Sequence, residues 1–302
     1  MPNLLSFDQL YQHADALRQP VPVAVAGGAD PTVLEALRTA SERGWVMPWI
    51  CGKARDVHQA ANECGIRVDG FDFVDTEDAP ASAVALVRSR KASLLMKGQI
   101  PTPALMKAVL DPNSALRTER VICQVVMIEL NGTERRFLLA DTGICIHPTL
   151  AQKIDILRSA VTLAQSLGAE CPRVAGMAAT ETPVASMPET LDAAELQRLN
   201  LAGEIAGCLV RGPLSFDMAF DADASAKKQR GDPDFGVADV MLFPNLLSAN
   251  LTVKAIIYTA ACRFGGVLCG TACPVVFMSR ADTTATRLNS LALALHSQFC
   301  GS

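Results

Sequence analysis

From Val21 onward, short apolar runs alternate with stretches of helical periodicity, and that alternation confines the chain to the α/β class. The first run, Val21–Ala26, is rich in β-branched residues and is followed by Gly27-Gly28. Asp30-Pro31 comes next, an N-cap residue with proline at the first helical position. Val33, Leu34, Leu37 and Ala40 then recur at helical spacing until Gly44, and a second apolar run begins at Trp45. The same reading predicts helices over 53–64, 80–90 and 102–110, with strands near 71–74 and 93–96. Two apolar runs, 121–130 and 135–141, flank Asn131-Gly132, a dipeptide suited to the positive φ angles of a two-residue type I′ hairpin.

Beyond this ribbon the alternation resumes. Helices are expected over 148–167, 192–201, 248–263 and 284–297, and strands over 173–179, 207–210, 237–243, 266–269 and 274–278. The whole reads as a predominantly parallel, layered α/β protein with helices on both sheet faces. Its 302 residues allow two domains. The break in alternation near residue 142 places the boundary there, with residues 1–142 completed by 273–302 in one domain and 143–272 in the other.

Half of the residues are apolar, 19% are charged and 5% aromatic, which excludes disorder. With 27 basic and 31 acidic residues the net charge is −4, the isoelectric point is near 5.6 and no basic tract occurs, so nucleic acid is not an expected partner. Mean hydropathy is +0.23, yet the longest charge-free stretch, 264–279, contains three glycines and a proline. It also falls short of the roughly 20 apolar residues that cross a bilayer. No membrane association is expected. The first ten residues carry Asp8 and no basic n-region, unlike a signal or transit peptide, and a cytoplasmic location is expected. Ten cysteines without a C-x-x-C pair, and four scattered histidines, disfavour a metal site.

Ligands of open α/β sheets collect beyond the carboxyl ends of the strands, so the polar residues that follow each run are the informative ones. They are Lys97-Gly98, Asp141-Thr142-Gly143, Arg211-Gly212-Pro213, Asn245 with Asn250, and Ser279-Arg280-Ala281-Asp282. Each also has a plain reading as turn former or helix cap. Ser279-Arg280 is the sharpest, because it lies between an apolar run and a helix start. Unpaired N–H groups, a hydroxyl and a guanidinium can there share one anion.

The segments ADTGICIHPTLAQKIDIL (140–157), MPETLDAAEL (187–196), RGPLSFDMAF (211–220), ADVMLFPNLLSANLTVKAIIY (238–258) and CPVVFMSRADTTATRLNSLALAL (273–295), with LLMKGQIPTPALMKAVLDP (94–112), resemble the phosphate acetyltransferase/butyryltransferase family. The resemblance is closer to the butyryltransferase branch; the first 90 residues share only the βα layout. It implies the two-domain fold of the isocitrate/isopropylmalate-dehydrogenase type with a cleft between domains. It also implies reversible transfer of a short acyl group between coenzyme A and inorganic phosphate. By motif position Arg280 would hold phosphate and Ser279 would stabilise the reacting centre. Asp282 is the first candidate base, while Lys97, Asp141, Asp217, Asn250 and Lys254 would bind substrate. Coenzyme A enters as substrate and product, and no tightly bound cofactor is implied. Against the family pattern, Ala249 replaces a glycine, Val253 a tyrosine and Cys145 an asparagine, and Arg211 stands where an acid is usual.

Three other readings compete. Cys145 and His147, two apart on a strand, could form a thiol–imidazole dyad. Asp217 and Asp221, four apart, could serve a metal-dependent dehydrogenase of the same fold. A non-catalytic acyl-CoA or acyl-phosphate binding module is the third. The apolar helices near 250–262 and 288–299 carry more Ala, Leu and Ile than one buried face needs, so a homo-oligomer, at least a dimer, is expected.

Overall fold

The computed structural model describes residues 4–228 and 235–300, the last two by their backbone alone. The described chain forms two compact units. One comprises Phe7–Arg120 and Phe264–Ser302; the other comprises Val121–Arg263 with the N-terminal residues up to Ser6.

The first unit is built on β1 (Val21–Ala26), β2 (Val46–Gly52), β3 (Asp72–Asp75) and β4 (Leu94–Lys97), with β11 (Val275–Val276) returning from the end of the chain. These strands are parallel in the order β3-β2-β1-β4-β11, and β10 (Cys262–Cys269), which enters the unit at Phe264, pairs antiparallel with β11. Val23 to Ala26 and Leu94 to Met96 have no solvent exposure, so both faces of the central strands are covered, as their unbroken apolar runs require. The helices are α1 (Phe7–Asp15), α2 (Pro31–Glu42), α3 (Ala54–Glu63), α4 (Ala79–Arg88), α5 (Thr102–Leu110) and α11 (Thr284–Cys300). Asp30 caps α2 through Val33 N–H, with Pro31 at the first turn, as its sequence predicts. Helix α1 has no counterpart in the sequence reading.

Helix α11 packs against α1 and α2, and Leu291 to Leu295 are at most 2% exposed. Each buried leucine contributes about 1.5–3 kcal/mol relative to exposure. This corrects one half of the interface expectation: the surplus apolar residues of the last helix are consumed inside the unit.

The second unit has β5 (Cys123–Leu130), β6 (Arg136–Ala140), β7 (Arg173–Met177), β8 (Leu209–Leu214) and β9 (Val240–Leu242) in the order β5-β6-β9-β7-β8. All neighbours after the antiparallel β5-β6 ribbon are parallel. Its helices are α6 (Leu150–Ser166), α7 (Pro188–Leu201), α8 (Phe216–Phe220), α9 (Ala222–Lys227) and α10 (Leu246–Thr259).

Two expectations change here. The units divide at 120/121 and 263/264, not at 142 and 272, because Leu138–Ala140 of the ribbon's β6 pair with β9 and so tie the ribbon to the second unit. The ribbon's turn also differs from type I′. Leu130 N–H donates to Arg135 O around a four-residue loop, and Gly132 has φ +74° whereas Asn131 does not have positive φ. Among the described residues, no helix is long and apolar enough to cross a membrane.

Candidate functional site

The predicted residues fall into two groups, one in each unit. Lys97, Ser279, Arg280 and Asp282 lie in the first; Asp141, Asp217, Asn250 and Lys254 lie in the second.

In the first unit, the site begins where β1 and β4 run past their carboxyl ends. Gly98 N–H donates to Ala26 O at 2.9 Å and Gln99 N–H to Gly27 O at 2.8 Å, extending the ladder into the loop. A Cβ on Gly98 would lie 1.8 Å from Gly27 O, so only glycine permits this approach. Lys97, the last residue of β4, is 1% exposed and has only a long contact, 3.4 Å, to Gly98 O. Burial, assisted by the positive charges of Arg287 and Arg280 and opposed by Asp282, pulls its pKa down to about 8.

After β11 the chain forms a loop before α11. Ser279 and Arg280 are exposed there, and Asp282 is partly exposed. Asp282 Oδ2 accepts Ser279 N–H at 2.6 Å, and Ser279 Oγ accepts Ala281 N–H at 3.3 Å. The helix itself starts at Thr284, with the Thr283 hydroxyl accepting Thr286 N–H. The Ser-Arg pair thus stands a full loop before the helix, and Asp282 organises that loop.

The sequence reading missed Arg287. It lies one turn into α11, has no solvent exposure and couples electrostatically to Lys97. A periodicity signal existed: positions 287, 290, 291 and 294 share a helical face, and Ser290, Leu291 and Ala294 are likewise fully buried. The cluster therefore gathers three basic side chains, Lys97, Arg280 and Arg287, with a serine hydroxyl, at the strand ends where anions bind in α/β sheets.

In the second unit, Asp141 is 3% exposed and serves the backbone. Its Oδ1 accepts N–H from Gln124 (2.9 Å), Gly143 (3.0 Å) and Ile144 (3.2 Å), and its Oδ2 accepts Cys145 N–H (2.7 Å). A carboxylate with four backbone donors shapes the loop 141–145. Asn250 on α10 donates to Thr142 O at 3.2 Å and so grips the same loop, while Lys254, one turn further, is exposed. Ala249 and Val253 are buried on the inner side of α10, so these two family departures act on packing.

Asp217 is half exposed and bound to Lys228 Nζ at 2.9 Å through Oδ2 and to the Ser215 hydroxyl at 2.6 Å through Oδ1. These partners, Ser215 first, hold its carboxyl down to about 2. Asp221 instead caps α9 through Asp223 N–H and Ala224 N–H, so the two aspartates have separate structural partners. Among the described residues, no group of three His, Cys, Asp or Glu is placed to hold a metal ion. Beside them lies a cavity of about 490 Å³ lined by Leu201, Leu214, Met218 and Phe235, with Glu181, Arg211 and the Glu195-paired Arg198 at its wall. Such a lining suits an apolar group with a polar end.

Residues 145–147 lie in a loop, which removes the strand geometry on which the Cys145–His147 dyad rests. Burial, reinforced by the Asp141 carboxylate, pushes the Cys145 thiol up to about 12. A thiol raised in this way is protonated at neutral pH, which argues against its use as a nucleophile.

The chain matches the phosphate acetyl/butaryl transferase family model over residues 76–295. It is 37% identical over 275 residues to the phosphate butyryltransferase of Clostridium acetobutylicum, covering 90% of this chain and 91% of that one. The phosphate acetyltransferase of Thermotoga maritima is 34% identical over 90% of this chain and 93% of its own. A branched-chain phosphotransacylase from Enterococcus faecalis superposes with a TM-score of 0.80 at 29% identity, covering 92% of this chain and 98% of the other. A 4-hydroxythreonine-4-phosphate dehydrogenase from Klebsiella pneumoniae shares the fold more distantly, with a TM-score of 0.54 at 11% identity over 93% of this chain and all of that one. The chain belongs to the phosphate acetyl/butaryl transferase family. Matches over 275 residues also carry the likeness well into the first 90 residues, beyond the shared βα layout that sequence motifs alone reveal.

Proposed function

We propose that the protein is a phosphate acyltransferase that moves a short acyl group, butyryl, acetyl or similar, between coenzyme A and inorganic phosphate. The observation that carries this reading is the coupling of buried Lys97 to Arg280 and Arg287, with Asp282 of the Ser279–Asp282 loop beside it, a seat suited to a phosphate oxyanion in a chain of this family. In the forward direction a phosphate oxygen attacks the thioester carbonyl. The C–S bond breaks, and the electron pair leaves on the coenzyme A sulfur, which takes up a proton. In reverse, the thiolate attacks the acyl phosphate and phosphate departs. Both acyl donors are already activated, so alignment and charge stabilisation supply much of the rate.

In this reading Arg280 holds phosphate and Ser279 donates to the oxyanion of the tetrahedral intermediate. Asp282 moves the thiol proton, and Lys97 neutralises phosphate charge. Asp217, Asn250 and Lys254 contact coenzyme A or its acyl chain, and Asp141 acts by holding the loop that Asn250 grips. Coenzyme A is a substrate and no resident cofactor is proposed. The protein is proposed to work in the cytoplasm, a reading supported by its nine described cysteines, all free thiols. It is also proposed to act as a homo-oligomer, at least a dimer. Leu247, Leu251 and Tyr258 on α10 are 60–73% exposed and repeat along one helical face, which a second copy would cover.

The decisive assay is thiol release, read with a disulfide dye, from acetyl-, propionyl-, butyryl- and longer acyl-CoAs with and without phosphate. Phosphate-dependent release that collapses in Arg280→Ala is expected. Release that needs no phosphate, or coenzyme A binding without turnover, would refute the reading.

A further inference from the structure

Arg287 is the least explained charged side chain of the first unit. Its guanidinium is fully buried, and its Nε–H donates to Thr32 Oγ1 at 2.9 Å. Thr32 gives its own hydroxyl proton to Asp30 Oδ1 at 2.5 Å, and the same Asp30 oxygen accepts Val33 N–H at the start of α2. The hydroxyl's lone pairs are thereby left facing Arg287, and the relay Asp30–Thr32–Arg287 fixes the guanidinium plane. The two outer nitrogens, Nη1 and Nη2, are buried with no hydrogen-bond partner among the described residues. Folding does not normally leave four donors of a permanent cation dry and unmatched. Such an orphan marks a place where a ligand supplies the acceptors.

The surroundings define that ligand. Lys97 feels the positive charges of both Arg280 and Arg287 through space, and two carboxylates stand against them: Asp282, which acts on Lys97 and on Arg287, and Asp30, which acts on Arg287. Each carboxylate already accepts a backbone N–H: Val33 N–H at Asp30 and Ser279 N–H at Asp282. An excess of positive charge, a planar fork and an adjacent ammonium match a tetrahedral oxyanion of charge near −2.

We infer that Arg287, held by Thr32, is a second phosphate-binding arginine: its Nη1 and Nη2 receive two oxygens of the inorganic phosphate that is acylated, with Lys97 beside it. The inference rests on the phosphate acyltransferase reading for its substrate and adds a residue to that site. Arg280 sits on an exposed loop and can follow the phosphate in and out. Arg287 is held in the core by Thr32, so phosphate reaches its outer nitrogens once a neighbouring group yields, and the fixed fork then sets where the phosphate stops. Thr32 and Asp30 are positioning residues, acting only through Arg287.

The test uses the whole protein and three variants: Arg287→Met, which keeps volume and loses the fork; Arg287→Lys, which keeps charge; and Thr32→Val, which removes the acceptor of Nε–H. Inorganic phosphate is titrated while thermal unfolding is followed, and KM is measured separately for phosphate and for butyryl-CoA. In the wild type, phosphate raises the melting temperature. In Arg287→Met that rise disappears, and KM for phosphate increases about 10- to 100-fold, as expected for losing a charge-assisted pair, while KM for butyryl-CoA changes less than about twofold. Without phosphate, this variant melts no lower than the wild type, since it lacks a buried unmatched cation. Arg287→Lys and Thr32→Val fall between, with KM for phosphate raised and KM for butyryl-CoA unmoved. If Arg287→Met does not fold, Arg287→Lys and Thr32→Val carry the same comparison. Variants that respond to phosphate as the wild type does overturn the inference. So does a rise confined to the KM for butyryl-CoA. A wild type that binds phosphate through Arg287 but never transfers an acyl group would sink the functional reading and leave the phosphate seat standing.

Discussion

Lys97→Met separates the folding cost of the site from its use. Lys97 is 1% exposed at the end of β4, and its pKa falls from the ordinary 10.5 to about 8 because burial penalises the ammonium and Arg287 and Arg280 repel it. A depressed pKa on a basic group means that the folded state binds its proton more weakly than the unfolded state does. Below about pH 8 both states are charged and the folded state carries the full penalty. Between about pH 8 and 10.5 the folded state has released the proton while the unfolded state still holds it, so the penalty fades with rising pH. At 1.36 kcal/mol per pH unit the interval corresponds to on the order of 3 kcal/mol at neutral pH. Methionine fills a similar volume without the charge. Lys97→Met is therefore expected to be more stable than wild type by about 2–3 kcal/mol at pH 7, or roughly 5–10 °C in melting temperature. That advantage should vanish near pH 10.5. Urea unfolding of both proteins from pH 6.5 to 10.5 reads this directly, and phosphate-dependent thiol release should meanwhile drop at least tenfold. A variant less stable than wild type at pH 7, or an advantage that does not shrink with pH, would show that Lys97 is well solvated or well paired and refute the argument.

The remaining expectations concern backbone approach and assembly. Gly98→Ala would drive a methyl group into Gly27 O, 1.8 Å away, and must separate the loops after β1 and β4. A loss of about 2–4 kcal/mol in urea unfolding, with activity lowered beyond the loss of folded protein, is expected, and unchanged stability would contradict the geometry. Leu251→Asp places a charge in the middle of the exposed stripe of α10, where Leu251 is 60% exposed. Sedimentation velocity should show the wild type as a dimer or larger and the variant as a monomer. A monomeric wild type, or an unchanged variant, would remove the stripe as an interface.

The strands and helices of the parallel layers were legible because burial on both faces imposes unbroken apolar runs, as in Val21–Ala26, and because Asp30-Pro31 marks a helix start by local chemistry alone. The boundary between units was not legible. The break in alternation at the β5-β6 ribbon looks like a seam along the chain, whereas β6 is joined to β9 by contacts a hundred residues away. The turn at Asn131-Gly132 was misjudged because dipeptide chemistry permits type I′ but does not demand it. The preceding strand ends at Leu130, and Asn131 N–H donates to Ala261 O, a partner no local pattern reveals.

The site shows the same division. Residues at or just beyond a strand's carboxyl end announce themselves, and Lys97, Ser279 and Arg280 were singled out by that rule. Asp141 was singled out too, but its side chain accepts four backbone N–H groups, three from its own loop and one from Gln124. Arg287 escaped the rule by standing inside a helix, where a charged residue is ordinarily solvated. What sets it apart is its face, shared with Ser290, Leu291 and Ala294, all fully buried. A charge in phase with a buried stripe is expensive unless something completes it. Thr32 completes one of its five donors. The phosphate acyltransferase reading supplies an acceptor for the outer nitrogens, and the stability the apo protein forgoes at Arg287 and Lys97 is the preorganisation with which it meets an anion.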